Sequence, residues 1–174
     1  MVGCLSMHLA SPLVAQQRTP GDAKGRAALN QAMVLLDEER LDDAMPHFRQ
    51  VVAEGGNVDA VAKLIYRDAS TKGIRLENWP YALRGLIAAK SLDVTPALRK
   101  EFDFWHGWSL YQNAAQLEVP QTLESATLTK PMFEEAKALL EAGQEFAKGA
   151  NFSMSGIMVR VNGYIEMESK ILTP

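Results

Sequence analysis

From Asp22 onward the apolar residues of this 174-residue chain recur every three or four positions, and no long stretch alternates apolar with polar as a strand would. That period restricts the chain to helices whose apolar stripes must bury one another. Ala28, Ala32, Leu35 and Leu36 form a first stripe, ending at the polar run Asp37-Glu38-Glu39-Arg40. Asp42 or Asp43 is placed to cap a second helix carrying Ala44, Met45, Phe48 and Val51, with Pro46 near its start and Gly55-Gly56 at its end. Asn57 to Lys72 reads as a third helix, stopped by Gly73. Asn78 caps a fourth, with Pro80 in its first turn, and Thr95-Pro96 opens a fifth that runs to about Leu117. The Thr- and Ser-containing stretch from Glu118 to Lys130 reads as a long loop before a sixth helix from Pro131 to Gly149, and Ser153 caps a seventh. The expected class is therefore all-α.

A spacing repeats within this series. Ala44-x-x-x-Phe48 returns as Ala82-x-x-x-Leu86, 38 residues later, and the same step carries Tyr66 to Phe104 and Leu35 through Gly73 to Tyr111. Phe104-x-x-Gly107-Trp108-x-x-Tyr111 is followed by Ala136-x-x-x-Leu140-x-x-Gly143. From Lys24 to Lys148 these residues resemble the tetratricopeptide group of helical repeats, in which small residues let paired helices approach and bulky ones fill the space between pairs. The period is longer than the common 34, Ala28 stands where an aromatic is usual, and Trp108 is large where a small residue is usual. The resemblance implies an α-solenoid of about three helix hairpins over residues 24–174, with the last helix as a C-terminal cap. The last third, from FWHGWSLYQNA to VNGYIEMESKIL, is similar to the C-terminal end of exported bacterial repeat proteins.

Met1 to Ala15 carries no charge and is mostly small or apolar, and residues 16–23 turn polar. This is the profile of a signal peptide over residues 1–15 followed by a linker, so export to the periplasm or the extracellular space is expected. Cys4 after Val2-Gly3 gives the alternative of a lipid anchor, and an unstructured tail is the third reading. Cys4 is the one cysteine, so no intramolecular disulfide forms and helix packing alone must hold the fold. No later run reaches the ~18 apolar residues of a membrane span.

With 18 Lys and Arg against 21 Asp and Glu, scattered among one another, the net charge of −3 gives no electrostatic footprint for a nucleic acid. Gly55-Gly56 lacks the strand and Lys-Ser/Thr context of a phosphate loop, and no Gly-x-Ser-x-Gly elbow or His-x-x-x-His pair occurs. His47 sits four residues after Asp43 and reads as a surface charge pair; His106, between Trp105 and Trp108, reads as core or groove wall. The paired acids Asp37-Glu38-Glu39, Asp42-Asp43 and Glu134-Glu135 lie at helix starts or on polar faces, and no acid pair in an apolar setting is visible.

The expectation is a non-enzymatic scaffold with no cofactor or metal, whose partner is a protein or peptide. The resemblance puts the first helix of each pair on a concave face, which nominates Arg26, Asn30, Arg67, Arg75, Trp105, Ser109, Gln112 and Asn113 as groove residues. The alternatives are a small-ligand carrier with a pocket lined by Phe102, Phe104, Trp105, Trp108 and Tyr111, and a structural spacer in an envelope assembly.

Overall fold

A computed structural model describes residues 20–173, which among themselves form helices and turns with no strand. Eight α-helices follow in order: α1 (Pro20–Asp37), α2 (Leu41–Ala53), α3 (Val58–Asp68), α4 (Trp79–Lys90), α5 (Pro96–Leu117), α6 (Leu123–Ala142), α7 (Gln144–Gly149) and α8 (Met154–Leu172). The all-α expectation holds. The expected signal peptide and the Cys4 anchor lie outside the described residues. No described helix is long and apolar enough to cross a membrane.

Several boundaries differ from the sequence reading, each for a local reason. The helix α1 begins at Pro20, so the end of the expected linker is helical. Arg40, not Asp42 or Asp43, occupies the cap position of α2. The two acids sit instead in the first turn, against the positive end of the helix, and Asp43 accepts a hydrogen bond from Arg40 Nε at 2.9 Å rather than pairing with His47. Asn57 and Asn78 do cap α3 and α4, accepting from the backbone N–H of Ala60 and Tyr81. Gly73 does not stop α3 outright: the chain loosens into a π turn over Ala69–Gly73 and a 3₁₀ turn over Ile74–Leu76.

The largest correction is α6, which starts eight residues before Pro131. Thr122 and Ser125 form a reciprocal capping box, so the expected loop folds as two more helical turns. Thr127 and Thr129 return their hydroxyls to the carbonyls of Leu123 and Ser125. Pro131 therefore lies inside the helix and leaves the Thr127 carbonyl without its donor, and both residues are exposed, where water can replace it. The expected single helix to Gly149 is broken at Gly143, whose Cα lies so close to the Phe104 backbone that a Cβ would stand 2.6 Å from it.

Consecutive helices pack in sequence, α1 on α2, α3 on α4, α5 on α4 and α6, and α8 on α6. Glycines mark the closest crossings. A Cβ on Gly73 would meet the Ala82 backbone at 2.6 Å, one on Gly85 would collide with Ala69, and one on Gly107 would lie 2.9 Å from the Ala136 carbonyl and Leu140. Two apolar clusters result. The first joins α1, α2 and α3 to Ala89, Leu92, Val94, Leu98 and Phe102. The second joins Phe104, Leu110, Tyr111 and Ala114 to Phe133, Ala136 and Leu140 of α6, Ala147 of α7 and Val161 of α8. The helix α5 thus contributes to both, Phe102 facing one cluster and Phe104 the other.

Polar links tie each pair to the next. Lys72 Nζ donates to the Leu36 carbonyl at the end of α1 at 2.6 Å and pairs with Asp68 at 2.9 Å; Asp68 also accepts from the Tyr81 hydroxyl. Asp59 accepts from both the N–H and the hydroxyl of Thr95, joining the starts of α3 and α5. Substituting Gly107→Ala is expected to destabilise the fold by about 2 kcal/mol through overpacking. Gly163→Ala, on an open stretch of α8 with nothing within 4 Å of the added Cβ, is expected to stabilise by roughly 0.5–1 kcal/mol. Urea unfolding of the two variants checks the contrast, and equal effects would contradict the packing described.

Candidate functional site

The eight expected groove residues lie on α1, α3, the 3₁₀ turn and α5, and the structure divides them. Arg26, Asn30, Arg67 and Arg75 are exposed, and Arg26 borders a small hollow with Leu29, Val51 and Gly55. Gln112 and Asn113 are half-buried on α5. Trp105 is half-buried too, packed edge-on against Phe104 and Phe152 with ring centroids 5.1 and 5.5 Å away. Ser109 is a correction: it is fully buried and its hydroxyl has no partner among the described residues, so it lines no groove. The Trp105, Ser109, Gln112, Asn113 spacing does define one face of α5, but the middle of that face is covered.

The expected aromatic pocket is also not assembled as one site. Phe102 packs against Tyr66 in the first cluster at 5.3 Å, and Phe104 fills the second with Phe146 and Phe152. Tyr111 of that set borders a hollow of about 450 Å³, together with Arg160, Gly163, Tyr164 and Met167 of α8. The Tyr111 and Tyr164 rings are 6.0 Å apart and tilted by 57°, and Tyr164 is stacked on Phe133 at 4.6 Å, which fixes its orientation.

His106 is buried, as expected of a core residue. Lys90, reaching across from α4, pairs with Asp103 at 2.5 Å and lies 3.3 Å from His106 Nδ1. A lysine has only donors, so Nδ1 is the acceptor and the ring proton sits on Nε2. Burial, and then the Lys90 cation, pull the imidazolium pKa down to about 4, with Asp103 opposing. The cluster is a staple between α4 and α5.

The sequence reading missed a second buried group. Glu168 of α8 is fully buried and Glu118, at the end of α5, is 2% exposed. Each keeps one carboxyl oxygen, Glu168 Oε2 and Glu118 Oε1, without a hydrogen-bond partner among the described residues. Thr129 Oγ1 bonds Glu168 and also lies 2.8 Å from the Ser125 carbonyl. One hydroxyl proton cannot serve both acceptors. Both contacts of Thr129 are satisfied when Glu168 is a carboxylic acid donating to Thr129, whose own proton goes to Ser125. Burial raises the pKa of both acids, and the Glu118 charge raises that of Glu168 further. The signal was present: Val161, Tyr164, Ile165 and Glu168 follow i, i+3, i+4, i+7, and Tyr111, Ala114 and Glu118 continue a buried stripe of α5. The expectation of no acid pair in an apolar setting is corrected accordingly.

No protein-family profile matches the chain, and neither the curated proteins nor the solved structures compared with it give a match.

Two titrations follow. The folded state holds the Glu168 proton at pH values where the unfolded chain has released it, so this group costs stability as pH rises above the ordinary carboxylate range. Glu168→Gln keeps a donor for Thr129 and is expected to stabilise by about 1 kcal/mol near neutral pH, with a gain that vanishes in acid. Thermal melts against pH check it; a loss of stability near neutrality would contradict a protonated Glu168. His106 acts in the opposite direction, since the unfolded chain takes up a proton that the folded one refuses. Its stabilisation is present above the ordinary histidine value and is lost as pH falls toward about 4. Nitrogen-15 shifts of its ring are expected to report the neutral Nε2–H form down to about pH 5.

Proposed function

We propose that the chain is a non-enzymatic scaffold of tetratricopeptide-like helix pairs, capped by α8, that holds a protein or peptide partner across its first helices α1, α3 and α5. The observation that carries this reading is positional. Ala44, Ala82 and Ala136, the repeat's small residues, are all at 0% exposure, and so are Phe48, Leu86 and Leu140 four positions later. Residues spaced by the repeat thus meet the same environment in all three pairs, as packing of equivalent units requires. The contacts of α3 with its neighbours support the same arrangement. Lys72 reaches the end of α1, while Asp59 and Tyr66 meet Thr95 and Phe102 of α5.

On this reading Arg67 and Arg75 are left exposed on one side of the stack and would engage acidic or carbonyl groups of an extended peptide, with Gln112 and Asn113 pairing to its backbone. The leader-like profile of residues 1–15 supports a reading in which this activity is exported. A displayed peptide library selected on the protein, followed by calorimetry of the enriched peptide, tests the assignment. Arg67→Ala is expected to weaken binding about tenfold, on the order of 1.4 kcal/mol, with unchanged melting temperature. If Arg67→Ala and Gln112→Ala variants both bind as the parent does, the groove is not on this face.

A further inference from the structure

The α5–α8 hollow combines features that the peptide reading does not use. It is lined by Tyr111 and Tyr164, whose rings both pack on Phe133. Met167 adds a thioether, positioned by a hydrogen bond from Gln121 Nε2 at 3.2 Å. Arg160 stands at the edge, close enough to Tyr164 to act on its hydroxyl, and among the described residues no carboxylate pairs with it. Gly163 completes the lining, and nothing of the chain lies within 4 Å of where its Cβ would be. The glycines at 73, 85, 107 and 143 are spent on tight helix contacts, whereas those at 149, 156 and 163 face open space, and of these three Gly163 is the one that lines the hollow.

We propose that this hollow binds an apolar carboxylate, an aromatic or branched group lodged between Tyr111, Tyr164 and Met167 with its carboxylate on the Arg160 guanidinium. A volume of about 450 Å³ suits a group of that size. Two flat rings and a polarizable sulfur give contact area at low entropic cost, and a guanidinium recognises the planar carboxylate through paired N–H donors. Burial first, then Tyr111 and Glu118, raise the Tyr164 pKa, so its hydroxyl stays a donor. Glu118 also acts on Tyr164, and burial raises its own pKa. The same chemistry is offered by a free arylalkanoate and by a peptide's C-terminal residue. The site shares α5 with the proposed groove but draws on Tyr111 and α8 rather than on Arg67, Arg75, Gln112 or Asn113.

Calorimetry with 3-phenylpropanoate and with an acetylated tripeptide ending in Phe, each against its amide and against phenethylamine, separates the sources. At least one acid is expected to bind, its amide at least tenfold more weakly; the acid that binds better identifies the source. Arg160→Gln is expected to weaken binding about tenfold. Gly163→Phe, whose ring would occupy the hollow from a position where an added Cβ meets nothing within 4 Å, is expected to abolish binding without lowering the melting temperature, while Gly163→Ala and Arg67→Ala retain it. Acid and amide binding equally, preference for the amine, full binding by Gly163→Phe, or no binding by either acid at millimolar concentration would each overturn the proposal.

Discussion

The fold depends on backbones that touch. At three crossings, Gly73 on Ala82, Gly85 on Ala69 and Gly107 on Ala136 and Leu140, there is no room for one more carbon atom. Each glycine costs helix propensity, about 1 kcal/mol relative to alanine. What it returns is close approach of two helices, with dispersion contacts along the whole crossing and exclusion of water from the alanine and leucine rows beside it. With a single cysteine, and that one outside the described residues, no covalent link substitutes for these contacts.

The helix α5 converts local pairs into one body. A helix with an apolar stripe on one side closes a single layer, but α5 buries Leu98 and Phe102 in one cluster and Phe104, Leu110 and Tyr111 in the next. Its polar residues are used in the same way. Asp103 and His106 receive Lys90 from α4, and Lys100 pairs with Glu145 of α7. A buried pair of this kind is weak evidence of net stabilisation, because desolvation offsets much of the attraction. Its clearer effect is on register: Lys90 has its partners on α5 only in one placement of α4.

Much of this was legible in the residues themselves, where side-chain period and cap chemistry act locally. Asn57, Asn78 and Pro96 mark their helix starts because capping needs only a neighbouring N–H or a ring that lacks one. Pro131 misled the reading because proline usually opens a helix, yet the Thr122–Ser125 box had already started α6. The groove was less legible. Spacing alone puts Ser109 beside Trp105 and Gln112, and only tertiary packing buries it. Glu168 escaped for the reverse reason: its charge masked its place on an apolar stripe, where Thr129 bonds one carboxyl oxygen and burial raises the pKa.

The buried acids and the open hollow both lie where α8 meets α5 and α6. All of it rests on the helix crossings being as close as described. The most direct test is a nuclear Overhauser spectrum of the methyl-labelled protein. The account predicts strong cross-peaks from the α-protons of Gly85 to the Ala69 methyl and from those of Gly107 to the Leu140 methyls. Absence of both from a folded, well-dispersed spectrum would contradict the packing on which the structure and both proposed sites depend.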